Sequence, residues 1–148
     1  MTTAAPDANM QLLAAHRAGT IEAAVALYQQ VLARDPRNKF AHYNLGLIEQ
    51  VSERTAAAEA SYRQALSTDP SYVLALFNLG VVRAAMGACA EAIALCRAVE
   101  AVDPLHAPAH FNLGYELWMG NELGEGEAEL KRAAALDPTL AVRARNTM

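Results

Sequence analysis

The sequence contains few cysteines, few aromatic residues and no long apolar run. Its 148 residues include two cysteines and one tryptophan, and aromatic residues make up 6% of the chain. No apolar run approaches the ~18 residues needed to span a bilayer, so we expect no membrane partner. The formal net charge is −4. Because a non-specific nucleic-acid binder needs a basic surface to neutralise phosphates, we expect no nucleic-acid partner either.

The two cysteines, Cys89 and Cys96, are not spaced for a disulfide. If both lie on one helix, their positions along its axis differ by roughly 10 Å. A disulfide needs Cα atoms closer than about 7 Å. Residues 1–10 also have neither the basic start nor the apolar stretch of a secretory signal. Unpaired thiols without a signal predict a cytoplasmic location.

Two motifs repeat along the chain at one constant interval. The dipeptide Asp-Pro occurs at positions 35–36, 69–70, 103–104 and 137–138. The tripeptide Asn-Leu-Gly occurs at positions 44–46, 78–80 and 112–114, with the same spacing between copies. Two independent motifs on one period indicate a repeat protein. The repeats are residues 5–38, 39–72, 73–106 and 107–140, with a short tail at 141–148, and together they predict a single domain over 1–148.

Within each repeat, the sequence predicts a helix, a turn and a second helix. Each Asp-Pro ends one helix before the next begins, because proline lacks an amide hydrogen and restricts the preceding residue. Gly19, Gly87 and Gly120-Asn121 suit a tight turn in mid-repeat, where the second repeat has Ser52-Glu53. The predicted first helices are 7–18, 40–51, 74–86 and 108–119. The predicted second helices are 21–33, 55–67, 89–101 and 123–135.

This pattern resembles the tetratricopeptide repeat (TPR) family over residues 5–140. The family signature is Leu-Gly, then alanine, an aromatic residue, alanine and proline at fixed offsets. The second repeat carries it as Leu45-Gly46, Ala58, Tyr62, Ala65 and Pro70. The third reads Leu79-Gly80, Ala92, Cys96, Val99 and Pro104. The resemblance implies an all-α fold, a right-handed α-solenoid of four helix-turn-helix repeats, in which the first helices line a concave groove.

A second apolar stripe on the first helices is predicted to face this groove. Its residues follow helical spacing on the side away from the partner helix, and we expect nothing else in the chain to cover them. The stripe comprises Phe40, Tyr43, Leu47 and Gln50, then Leu74, Phe77, Val81 and Ala84, then Pro108, Phe111, Tyr115 and Trp118. An exposed apolar patch of this size indicates a binding surface.

A row of asparagines, Asn44, Asn78 and Asn112, accompanies the stripe. Each amide offers two donors and an acceptor to an extended peptide backbone. The row is similar to the asparagine ladder in the repeat arms of O-linked N-acetylglucosamine transferases, which implies peptide binding. The alternatives are that the asparagines bond within the solenoid, that the aromatic residues partly fill the core, and that Trp118 and Met119 cap the last repeat.

No constellation in the sequence predicts catalysis, a cofactor or a metal site. The histidines are His16, His42, His106 and His110. His106 and His110 are close, but no Cys, Asp or Glu at helical spacing completes a ligand set, so we expect structural roles. Three glycines from 120 to 126 are interspersed with glutamates, which would repel phosphate. We expect no nucleophile with its base and oxyanion donors.

The sequence therefore predicts a non-catalytic interaction module or scaffold that binds an extended peptide or protein segment. One alternative is a substrate-recruiting TPR arm of a larger enzyme such as a glycosyltransferase. Another is a homo-oligomerising adaptor, in which the exposed edge of 123–135 pairs with a second copy.

Overall fold

The computed structural model of the chain describes residues 19–148, and the seven helices predicted in this range all lie within one residue of their predicted bounds. The predicted helix 7–18 and His16 lie outside the described residues. The seven helices are α1 (Ile21–Arg34), α2 (Lys39–Val51), α3 (Thr55–Thr68), α4 (Val73–Ala85), α5 (Cys89–Val102), α6 (Ala107–Met119) and α7 (Leu123–Leu136). A short 3-10 turn, Pro138–Leu140, precedes α8 (Ala141–Thr147). Residues 19–148 contain no β-strand, which confirms an all-α repeat fold.

The mid-repeat turns each place one residue in the left-handed backbone region. Gly19 and Gly87 have φ of 73° and 79°. In the second repeat Glu53 takes this conformation at 60°, and in the fourth it is Asn121 at 69° rather than Gly120. Asparagine tolerates the left-handed region because its short polar side chain bonds locally. The turn position is therefore shared by all four repeats although its residue is not.

The aspartate of each Asp-Pro has a structural role at the boundary between repeats. Its Oδ1 accepts a hydrogen bond from the backbone N–H two residues later, which stabilises the turn. These donors are Arg37, Ser71, Leu105 and Thr139, at 3.3, 3.1, 3.2 and 2.9 Å. The four equivalent bonds explain why aspartate precedes proline in every repeat.

The chain divides into two compact units, one ending at Ala75 and the other comprising Leu76–Met148. In the first unit α2 and α3 form a closely packed pair. A Cβ added to Gly46 would lie 2.5 Å from Cε1 of Tyr62, so the glycine allows the ring to reach the α2 backbone. Tyr62 is fully buried and its hydroxyl donates to Oε1 of Gln50 at 2.6 Å.

In the second unit α6 and α7 approach each other closely. A Cβ on Gly114 would lie 2.8 Å from both Cγ and the backbone nitrogen of Leu130. A Cβ on Gly126 would lie 2.8 Å from the backbone nitrogen of Trp118. Glycines on both helices therefore let the two backbones touch. Leu113 and Leu117 of α6 also pack with Cys96 of α5.

The tail at 141–148 differs from expectation because it forms a helix that packs on the repeats. Ala144 of α8 is 1% exposed and joins a core cluster with Phe111, Leu130 and Ala133. The expectation that nothing in the chain covers the apolar stripe is wrong at Phe111. The edge of α7 expected to pair with a second copy likewise carries α8.

Candidate protein-interaction surface

In the first unit, the predicted site residues Phe40 and Tyr43 of α2 form an aromatic cluster with Tyr72. Phe40 remains 38% exposed, whereas Tyr43 and Leu47 are half-buried. The ring of Tyr72 meets Phe40 edge-on with centroids 5.8 Å apart, and its centroid lies 5.4 Å from that of Tyr43. Burial raises the pKa of Tyr72 to about 12. Tyr72 was not among the predicted site residues.

Lys39 makes cation–π contacts with this aromatic cluster. Lys39 Nζ lies 5.3 Å from the ring centroid of Phe40 and 5.0 Å from that of Tyr72, within cation–π range. The same ammonium donates to Oδ2 of Asp69, and this hydrogen bond lowers the pKa of the Asp69 carboxyl. Lys39 therefore links the aromatic cluster to the Asp-Pro boundary of its own repeat.

In the second unit, the two aromatic residues of the predicted row have different environments. Phe77 is half-buried, and its ring centroid lies 5.0 Å from that of His106. Phe111 is only 7% exposed, and the guanidinium carbon of Arg143 lies 4.7 Å from its ring centroid. Phe111 is therefore covered by α8 instead of being open to a ligand.

The contact partners of the aromatic row also follow the repeat. Tyr43 contacts Tyr72 and Phe77 contacts His106, while Leu140 packs against the cluster that contains Phe111. Tyr72, His106 and Leu140 each lie two residues after the proline of an Asp-Pro. Within each unit, the side chain two residues after the proline packs beside a ring of the aromatic row. The contacts agree with the alternative that the aromatic residues partly fill the core.

The three asparagines differ in their burial. Asn44 is buried at 6% exposure, whereas Asn78 and Asn112 are half-buried. Among the residues that the structure describes, the Asn112 side chain makes no hydrogen bond, so its amide is available to a ligand. The three asparagines of the predicted row are therefore not equally exposed.

Asn112 and Tyr115 of α6 lie between two clefts of the second unit. A cleft of about 130 Å³ is lined by Gly80, Val81, Ala84, Ala92, Cys96, Asn112, Tyr115 and Glu116. A shallower cleft of about 490 Å³ is lined by Phe111, Asn112, Tyr115, Arg143, Asn146 and Thr147. Tyr115 is 42% exposed. We call the residues that line these two clefts, except the buried Phe111, the α6 surface.

Two other predicted residues lie elsewhere. Leu74 is 46% exposed near the start of α4. Trp118 is half-buried near the end of α6, where its backbone meets Gly126. Neither residue lines the two clefts of the α6 surface.

The cysteines are unpaired, as predicted, and their environments differ. Cys89 is exposed, and a hydrogen bond with Glu116 raises the pKa of its thiol. Cys96 is buried and lines the smaller cleft, and burial raises the pKa of its thiol to about 12. Neither thiol is therefore activated as a nucleophile, since activation requires a lowered pKa.

His110 lies in a cluster of charged groups that sequence analysis missed. It is 1% exposed, and its Nδ1 lies 2.6 Å from Oε2 of Glu129 and 2.9 Å from Oε1 of Glu100. Helical spacing around His110 indicated no carboxylate partner, but Glu100 and Glu129 reach it from the neighbouring helices α5 and α7. The available signal was a departure from the repeat, since leucine occupies the position of Glu100 at Leu32 and Leu66.

The pKa of His110 reflects opposing effects. Burial lowers it, but the hydrogen bonds to the Pro104 carbonyl and Glu129 and the charges of both glutamates outweigh burial and raise it. Burial and repulsion from Glu129 raise the pKa of Glu100. The three ligand atoms lie within 4.8 Å of one another, which makes this cluster the candidate metal site among the described residues.

Within residues 19–148, no helix combines the length and apolarity that crossing a membrane requires. A search of curated proteins finds no sequence that matches the chain.

Solved structures share this fold at low sequence identity. The crystal structure of MamA is 19% identical, with a TM-score of 0.82, and the match covers 97% of this chain and 81% of MamA. Pseudomonas aeruginosa PilF is 22% identical, with a TM-score of 0.82 and coverage of 95% and 66%. The Yersinia enterocolitica type III secretion chaperone SycD, in complex with a peptide of the translocator YopD, is 22% identical, with a TM-score of 0.68 and coverage of 72% and 86%.

The repeat assignment also has direct support from sequence. A family model described as tetratricopeptide repeat matches residues 9–66, 43–101 and 87–141. These matches extend over almost the whole chain and agree with the helix pairs of the structure. The chain therefore belongs to the tetratricopeptide repeat family.

Proposed function

We propose that this chain is a non-catalytic protein-interaction module that binds an extended peptide segment of another protein on the α6 surface. Tetratricopeptide repeat proteins are interaction modules, and the similar SycD structure contains a bound peptide. The observation that carries the proposal is the position of Asn112 and Tyr115 between two clefts.

The chemistry of the α6 surface suits a peptide. Tyr115 offers a large, half-exposed ring that loses little conformational entropy on binding. The Asn112 amide can both donate to and accept from a peptide backbone. Val81, Ala84 and Cys96 give the smaller cleft an apolar lining that can receive a small apolar side chain.

The proposal uses only part of the predicted asparagine and aromatic rows. Asn44 and Phe111 are left out as direct contacts because they are buried. A ligand-binding role for Phe40, Tyr43 and Leu47 of the first unit is a separate proposal, as is one for Leu74, Phe77, Asn78 and Trp118.

The test selects peptides from a phage-displayed random library on the immobilised chain and measures their affinity by fluorescence anisotropy. Tyr115→Ala is expected to weaken a selected peptide by roughly 30-fold, the loss of about 2 kcal/mol typical of an aromatic hot spot. Asn112→Ala is expected to weaken it by roughly tenfold or less, about the net value of a hydrogen bond.

Leu123→Ala is the matched control, because Leu123 is 45% exposed, close to the 42% of Tyr115, but lies on α7 outside both clefts. It is expected to leave affinity unchanged. Equal losses for Leu123→Ala and Tyr115→Ala would mean that exposed apolar area, and not the α6 surface, binds the peptides. Full affinity in Tyr115→Ala would refute the proposal.

The other predicted functions have weaker support. Self-association through the edge of 123–135 is disfavoured because α8 packs on α7. No described feature favours a role as the recruiting arm of an enzyme. The cytoplasmic location stays a prediction that fractionation of the producing cells would test.

A further inference from the structure

Three side chains from three consecutive helices meet at one buried point of the second unit. Glu100 lies near the end of α5, His110 on α6 and Glu129 on α7. His110 is almost fully buried, and the side chains of Glu100 and Glu129 are 19% and 13% exposed. The α6 surface uses none of the three, so the cluster needs a separate explanation.

A proton on His110 does not satisfy both carboxylates. The ring Nε2 lies 2.7 Å from the carbonyl oxygen of Pro104, and because a carbonyl only accepts, Nε2 must donate to it. A single proton on Nδ1 then serves Glu129 at 2.6 Å. Oε1 of Glu100 is buried and receives no hydrogen bond from any described residue, although it lies 2.9 Å from Nδ1.

The charges of the cluster also do not balance. Two carboxylates and one imidazolium have a net charge of −1. The nearest arginines compensate only in part: Arg132 Nη1 lies 3.9 Å from Oε1 of Glu129 on a side chain that is 61% exposed, and Arg97 pairs with Glu125.

We infer that Glu100, His110 and Glu129 bind one divalent transition-metal ion, such as Zn²⁺. Two carboxylates, a neutral imidazole and a divalent ion have no net charge. The ion would take Nδ1 and one oxygen from each glutamate, and Nε2 would keep its bond to Pro104. A hydrogen bond from the second ring nitrogen to a backbone carbonyl commonly orients a metal-binding histidine.

The two distances from Nδ1 to the carboxylates require only a small adjustment. Zinc bonds to nitrogen and carboxylate oxygen are about 2.0–2.2 Å, so a tetrahedral site places its ligand atoms about 3.4 Å apart. The present distances from Nδ1 are 2.6 and 2.9 Å. The carboxylates would therefore move outward by about 0.5–0.8 Å. Their partial exposure gives the ion a route in and leaves water as a fourth ligand.

The test titrates the full chain with Zn²⁺ in a calorimeter and with Co²⁺ in a spectrophotometer. A Cys89→Ser background removes the exposed thiol, which could otherwise bind these ions. We expect one ion per chain. Glu100→Gln and Glu129→Gln keep the side-chain shape, and each is expected to weaken binding at least tenfold, since even outer-shell changes cost about 10–100-fold.

His42→Ala is the matched control. His42 Nε2 lies 2.9 Å from the carbonyl oxygen of Pro36, the same contact two repeats earlier, but Leu32 and Ser61 stand at the positions of the two glutamates. This variant is expected to bind one ion with unchanged affinity. Circular dichroism verifies that each variant is folded, and if one glutamine variant unfolds, the other decides the result.

Absence of Zn²⁺ binding to the folded Cys89→Ser chain would overturn the inference. Unchanged affinity in a folded glutamine variant, or loss of binding in His42→Ala, would also overturn it. Tyr115→Ala is expected to bind the ion normally, so failure of the metal site and failure of the peptide surface are separately detectable.

Discussion

Replacing the repeated glycine of Asn-Leu-Gly by alanine is expected to have opposite effects in two consecutive repeats. Gly80 and Gly114 occupy the same position of their repeats and both lie in the second unit. A Cβ on Gly114 would lie 2.8 Å from the Leu130 nitrogen and 2.9 Å from the Gly126 oxygen. A Cβ on Gly80 would meet only the Leu95 Cβ at 3.4 Å and the Ala92 oxygen at 3.9 Å.

The magnitudes follow from these contacts. In Gly114→Ala the opposing atoms include backbone, so α6 and α7 must separate, and overpacking of this kind costs about 1–3 kcal/mol. Alanine returns about 1 kcal/mol of helix propensity. We expect a net loss of about 1–2 kcal/mol, since the contacts favour the upper half of the overpacking range. Gly80→Ala has ordinary contacts and keeps most of the propensity gain, so it is expected to stabilise by up to about 1 kcal/mol.

Thermal unfolding followed by circular dichroism measures the difference. At roughly 3 °C per kcal/mol for a chain of this size, Tm of Gly114→Ala is expected to fall by about 3–6 °C and that of Gly80→Ala to rise by up to about 3 °C. Gly124→Ala is a further control because nothing lies within 4 Å of its added Cβ. Equal shifts of Tm in Gly80→Ala and Gly114→Ala would contradict the close approach of the α6 and α7 backbones.

Two further predictions concern the thiols and α8. Because Cys96 is buried, Ellman's reagent is expected to react only with the exposed Cys89 in the native chain and with both thiols after denaturation. Rapid reaction of two thiols in the native chain would contradict the burial of Cys96. Ala144→Asp places a charge beside Phe111 at a position that is only 1% exposed, so α8 is expected to detach from the repeats. A hydrophobic dye is then expected to bind the uncovered ring of Phe111. Dye binding equal to that of the native chain would contradict this prediction.

The helices could be predicted from the sequence because an Asp-Pro dipeptide and a mid-repeat turn recur in each repeat. Each Asp-Pro and each mid-repeat turn sets a helix end locally, so α1 to α7 could be located to within one residue. α8 escaped prediction because Ala141–Thr147 follows the last Asp-Pro without a second motif to mark a helix. Its formation depends on packing against α7, which no local pattern encodes.

The candidate site was less predictable than the fold. Phe111 has the spacing of an exposed stripe, and it is buried because α8 lies over it. The glutamates beside His110 come from α5 and α7, so spacing along α6 could not reveal them. Asn112 and Tyr115 were predicted because helical periodicity alone places them on the side away from α7.

Hydrogen exchange of the chain with and without a selected peptide tests the central claim most directly. The account predicts added protection in α6 (Ala107–Met119) and in the segments that line the two clefts, residues 80–84 and 143–147. Protection confined to α7 (Leu123–Leu136), with none in α6, would contradict it.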